Sequence, residues 1–174
     1  MKESCIEPIE WPTWWPASGR HFLQGMPFIG PHVRILRRAR VVLTGRNPNE
    51  IQPLWDQSHL QYPLVTSKKE ALFEIIDRYI SWPNHFFIPC DRAPIVLGCI
   101  PGIWIDSTDV LDDICRCLGI KPSAAVYETA FKGTLVEFLE CLETSVRNNL
   151  SSVSFNCPKS QLQGTDSSRH PPDP

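Results

Sequence analysis

The chain has 174 residues, with 17 Lys and Arg against 19 Asp and Glu, 42% hydrophobic residues, 17 Pro, 9 Gly and 7 Cys. That length suits one domain around a single core, and the hydrophobic fraction excludes wholesale disorder. A mean hydropathy of −0.18, with no apolar run of roughly 18 residues, excludes a membrane span.

The opening MKESCIEPIE carries three acids and no apolar stretch, so a signal or transit peptide is not expected. Seven irregularly spaced cysteines then read as reduced thiols in a cytoplasmic protein. The small net charge hides an asymmetry. Between Trp11 and Asn49 stand six arginines (Arg20, Arg34, Arg37, Arg38, Arg40 and Arg46) and no acid. Such a block attracts anions, phosphates above all, unless it is a solvated face answered by acids elsewhere.

Residues 5–31 are rich in Trp, Pro and Gly and read as irregular. Ala39–Thr44 is a β-branched run bounded by Gly45, and it predicts a strand. Its consecutive Val41, Val42 and Leu43 suggest cover on both faces, as in a parallel sheet. Asn47-Pro48-Asn49-Glu50 predicts a helix start, with Asn47 as N-cap, and Pro53 kinks or shortens that helix. Ser67-Lys68-Lys69-Glu70 reads as a capping box before a helix with Leu72, Ile75, Ile76, Tyr79 and Ile80 on its apolar stripe. Residues 85–106 alternate short apolar runs with Pro and Gly, which predicts two or three short strands. A helix from Ser107 or Thr108 through Leu118 buries Leu111, Ile114, Cys115 and Leu118, and Gly119 stops it in the left-handed conformation. A last helix over 124–148 turns Phe131, Leu135, Phe138, Leu142 and Val146 inward and Glu137, Glu140 and Glu143 outward. The expected fold is α/β, a small parallel-type sheet flanked by helices, in one domain over 1–150. Residues 151–174 are expected to form a disordered tail.

Chemistry is sparse. Cys141 and Arg147 match the C-x5-R spacing of cysteine-dependent phosphatases, but an amphipathic helix without glycine cannot form the phosphate loop that chemistry needs. Cys115 and Cys117 point to opposite sides of a helix, and Cys90, Cys99, His85 and Asp91 lack metal-ligand spacing, so no metal is expected. Leu111–Ala125 has helix-turn-helix spacing, yet the would-be recognition helix carries few donors for bases or phosphates. At Thr44-Gly45-Arg46-Asn47-Pro48 an apolar segment ends and a helix begins, which would place Arg46 beside free helix-terminal amides, an arrangement that suits a phosphate; the alternative is an ordinary connection with a surface Arg.

The segment ARVVLTGRNPNEIQPLW (39–55) resembles the 3′-phosphate-binding segment of the P-loop sulfotransferases, in which an apolar strand ends in Arg-Asn/Asp-Pro. IDSTDVLDDICRCLGI (105–120) is similar to the family's late acidic turn and helix, and Trp15–Leu23 partly resembles its 5′-phosphosulfate loop. The resemblance implies binding of 3′-phosphoadenosine 5′-phosphosulfate or a related phosphorylated adenosine nucleotide by Ser18, Gly19, Arg20, Arg46 and Asn47. It also implies sulfuryl transfer, with His21, His32 and His59 as candidate bases. The loop lysine of the family is Ala17 here, and the interval from Gly19 to Arg46 leaves no room for the family's substrate-binding helix and strand. Two other readings stand beside it. One is a non-enzymatic interaction protein that turns the Arg-rich face or the Trp-rich segment toward an acidic partner; the other is a helix-turn-helix-like DNA-binding protein.

Overall fold

The computed structural model describes residues 6–12, 31–57, 62–100 and 107–154. Among the described residues eight helices follow one another: α1 (Pro31–Thr44), α2 (Pro48–Gln57), α3 (Pro63–Thr66), α4 (Lys69–Tyr79), α5 (Ala93–Val96), α6 (Ser107–Leu118), α7 (Ala124–Lys132) and α8 (Leu135–Ser154). Strand pairing among the described residues amounts to one antiparallel bridge between Arg92 and Thr134. The expected α/β fold with a parallel sheet is therefore corrected to a helical one.

The correction turns on α1. Ile35, Ala39 and Leu43 are buried at helical spacing, with Leu36 and Val42 packed partly against the same core. Arg34, Arg37, Arg38 and Arg40 point outward. Val41, which a doubly covered strand would bury, is 73% exposed. A 3.6-residue period thus governs this stretch, and its β-branched composition is overridden by packing. The second expected group of strands fails similarly. Residues 85–92 run irregularly, Ala93–Val96 form the short buried helix α5, and 101–106 lie outside the described residues.

Elsewhere the expected helices stand, with shifted ends. Asn47 caps α2 by accepting from the Asn49 amide at 3.1 Å, and Pro53 sits inside that helix. The expected capping box before α4 does not form; Lys68 is the N-cap, and the Ser67 hydroxyl donates to the Leu64 carbonyl instead. Leu72, Ile75, Ile76 and Ile80 are buried along the α4 stripe as expected. Helix α6 buries Leu111, Ile114, Cys115 and Leu118. It ends at Gly119, φ 71°, with the Ile120 amide reaching back to the Cys115 carbonyl, a stop that glycine adopts without steric cost.

The helix expected over 124–148 is two helices. Ser123 caps α7 through the Val126 amide, and Gly133 ends it. A Cβ at Gly133 would lie 2.7 Å from the Thr129 carbonyl oxygen, so only glycine fits this turn. Thr134 and Glu137 then open α8 with a reciprocal capping box: the Thr134 amide donates to Glu137 Oε2 at 2.7 Å, and the Glu137 amide donates to Thr134 Oγ1 at 3.4 Å. Helix α8 runs on to Ser154, past the expected start of the tail, and 155–174 lie outside the described residues.

The layers pack as α7 on α8, α4 on α6, and α3 on α8, with α5 between α7, α8 and α1. Leu43, Ile95, Leu97, Leu111, Ile114, Phe138 and Leu142 fill the centre. No helix of the described residues is long and apolar enough to cross a membrane.

Candidate functional site

Arg46, the residue on which the phosphate expectation rests, lies at the end of α1 and is 7% exposed. Its two terminal nitrogens meet the Asp91 carboxylate at 2.6 and 2.7 Å. They also donate to the carbonyls of Phe86 at 2.8 Å and Glu7 at 2.9 Å. Asp91 is 0% exposed and accepts two further bonds, from the Ile9 and Ile88 amides, each at 2.8 Å. The planar fork of Arg46 thus grips a carboxylate in the bidentate way anticipated for a phosphate. Asp91 fills the place of the anion. This knot joins residues 7–9, the end of α1 and the 86–91 segment, and its role is architectural.

The other sequence-predicted residues do not gather around Arg46. Asn47 is exposed and spends its side chain on the α2 cap. Ser18, Gly19 and Arg20 lie outside the described residues, as do His21, His59 and the side chain of His32. Cys90 is exposed beside Asp91, whose carboxylate is fully engaged and cannot serve as its base. Burial pushes the Cys99 thiol up to about 12, and burial with Asp112 nearby pushes Cys115 up to about 11. Both stay protonated and unreactive near neutral pH. Among the described residues no three His, Cys, Asp or Glu side chains converge as metal ligands.

A second feature of the fold is more open to chemistry. Between α2 and the body formed by α3, α4, α6 and α8 lies a partly open cavity of about 530 Å³. Its walls are mainly apolar: Ile51 and Trp55 from α2, Leu72, Phe73 and Ile76 from α4, Phe138, Leu139 and Leu142 from α8. Sealed and empty, such a void would cost on the order of 13 kcal/mol at roughly 24 cal/mol per Å³. That is as much as the whole stability of an ordinary domain. A space of this size persists only when water or a ligand occupies it.

Few polar groups reach the wall. The Trp55 indole donates to the Phe87 carbonyl at 3.0 Å, which anchors α2 across the cavity. Gln52 donates to Asp56 at 2.9 Å on the same helix. His85 stacks on Phe73 with centroids 4.2 Å apart, and its Nε2 lies 3.1 Å from both oxygens of Asp77. Tyr62, at the N-cap of α3, is buried, and its hydroxyl has no hydrogen-bond partner among the described residues. Burial, with Glu140 nearby, raises that phenol well above its ordinary range, so it stays a neutral donor. A buried polar group without a partner is rare in folded proteins, and this oxygen is sealed from solvent, so the open space of the cavity does not reach it.

No sequence motif points to these wall residues as binding residues. The apolar stripe of α4 is visible in the sequence, and Lys69 and the core-packed Phe73 beside it line the cavity together with Leu72 and Ile76. No family model, no curated protein and no solved structure matches this chain.

Proposed function

We propose that this protein is a binding module that takes an apolar small molecule into the cavity between α2 and the helical body. The observation that carries the reading is a 530 Å³, mainly apolar space between α2 and the helical body. Ligand sites of small molecules have this size and character, mostly apolar with a few convergent polar groups. The proposal departs from the sulfotransferase resemblance, and also from the interaction-protein reading, which set an acidic partner on the Arg-rich face or the Trp-rich segment. A nucleotide held by Arg46 would have to displace Asp91, leaving a buried carboxylate uncompensated.

The test is a titration of the full chain with N-phenylnaphthylamine, a neutral apolar fluorophore that brightens in dry surroundings. Saturable binding of about one molecule per chain is expected, and Leu139→Trp, which narrows the cavity from its α8 wall, should weaken it at least tenfold. Melting curves of the variant establish that it folds. Non-saturating fluorescence, or equal affinity in a folded Leu139→Trp variant, would remove the cavity from consideration.

A further inference from the structure

The cavity wall also carries a charge without a counter-charge. Lys69, on the first turn of α4, lines the cavity, and its ammonium stands 5.5 Å from the centroid of the Phe73 ring. No carboxylate lies within ion-pairing distance of it among the described residues. The neighbouring Lys68 is different, since its ammonium donates to the Cys117 carbonyl. Across the cavity the acid on the wall, Asp56, already accepts from Gln52. The other acid nearby, Asp77, is engaged by His85. Lys69 therefore presents the wall's uncommitted charge, at the edge of a space that is otherwise apolar.

Resting on the apolar-ligand reading, we infer that the natural occupant is a single-chain amphiphile, with its tail inside and an anionic head on the Lys69 ammonium. At roughly 30 Å³ for a water-sized group, 530 Å³ has room for about eighteen such groups, more than a tail of about a dozen carbons needs. An exposed lysine keeps its hydration until the head arrives, so the head contributes selectivity while tail burial supplies most of the affinity.

Three probes of equal tail length separate head from tail: dodecanoate, dodecanol and dodecylamine, each displacing N-phenylnaphthylamine from the full chain below micelle-forming concentration. Dodecanoate should bind about fivefold tighter than dodecanol, the upper range for an exposed ion pair, and dodecylamine more weakly than either. Lys69→Ala should abolish the preference for dodecanoate and leave dodecanol unchanged, while Lys69→Arg should keep it. Equal binding of dodecanoate and dodecanol to the wild type, or a preference that survives Lys69→Ala, overturns the assignment of the head. So does tightest binding of dodecylamine, which would place a cationic head on Asp56. Failure of all three probes to displace the fluorophore would instead count against the cavity reading itself.

Discussion

Replacing Asp91 by Asn tests the architecture at its most stressed point. The carboxylate accepts four bonds, two from Arg46 and two from the Ile9 and Ile88 amides, all between 2.6 and 2.8 Å. An amide in its place keeps one oxygen. The nitrogen then confronts donors on its side, and the Arg46 cation remains buried without a counter-charge. Each lost bond that leaves a buried partner unsatisfied costs about 1–3 kcal/mol, and breaking a buried pair by removing one partner costs about 3–5 kcal/mol in total. Such a loss is a large share of the stability of an ordinary domain. Urea unfolding followed by circular dichroism at a helical wavelength measures it directly. The exposed pair Arg38–Glu7 supplies the control: its 2.8 Å separation is close to the 2.6 Å of Arg46–Asp91, but each of its side chains is 61% exposed. Arg38→Ala should therefore cost less than about 1 kcal/mol. Arg46→Ala should be as damaging as Asp91→Asn, and the double variant should cost less than the two singles together. If Asp91→Asn costs less than about 1 kcal/mol, the knot does not hold the fold, and Arg46 is again available for an anion.

Tyr62→Phe should leave stability unchanged or raise it by about 1 kcal/mol in urea unfolding, because the lost hydroxyl has no partner; a loss of that size would show that it is bonded. Glu137 is held below its ordinary carboxylate range by the Thr134 amide and hydroxyl, so its capping contribution is present above the unfolded-state value and lost as pH falls through the folded one. Wild type should accordingly lose more stability than Glu137→Ala between about pH 6 and pH 3, and parallel profiles would discount the cap. Thiol labelling at pH 8 should modify Cys90 quickly, with Cys99 and Cys115 following only as the chain unfolds. Rapid labelling of Cys115 in native protein would mean that α6 opens locally.

The helices of the second half are legible because their signals are local. Leu111, Ile114, Cys115 and Leu118 repeat at helical spacing, and Gly119 closes the segment with a stop that one residue can specify. The first half misleads because Val41, Val42 and Leu43 fit two periods at once, and the arginines that break the tie resemble a charge block more than one face of a helix. Glu143 defies expectation for a related reason. Its position on α8 suits the solvent side, yet α3 arrives from far away in sequence and brings the Leu64 and Val65 amides to within 3.2 and 3.1 Å of its carboxylate. Asp91 and Arg46 are separated by 45 positions, and no local pattern announces their pairing. The cavity is harder still to foresee, since its walls come from helices that meet only in the finished fold.

The Asp91 knot also imposes an order on the chain's birth. Arg46 is synthesised 45 residues before its carboxylate, an interval of about 2–9 s at translation rates of roughly 5–20 residues per second. Ile9, bonded to the same carboxylate, waits across 82 residues. The amides of Leu135 and Val136, which reach the carbonyls of Asp91 and Pro89, emerge later again. Until the 88–93 segment appears, Arg46, just past α1, is a cation without the carboxylate it is buried against in the finished fold. The nascent first half therefore lacks the carboxylate that joins Ile9 and Arg46 until residue 91 has been made.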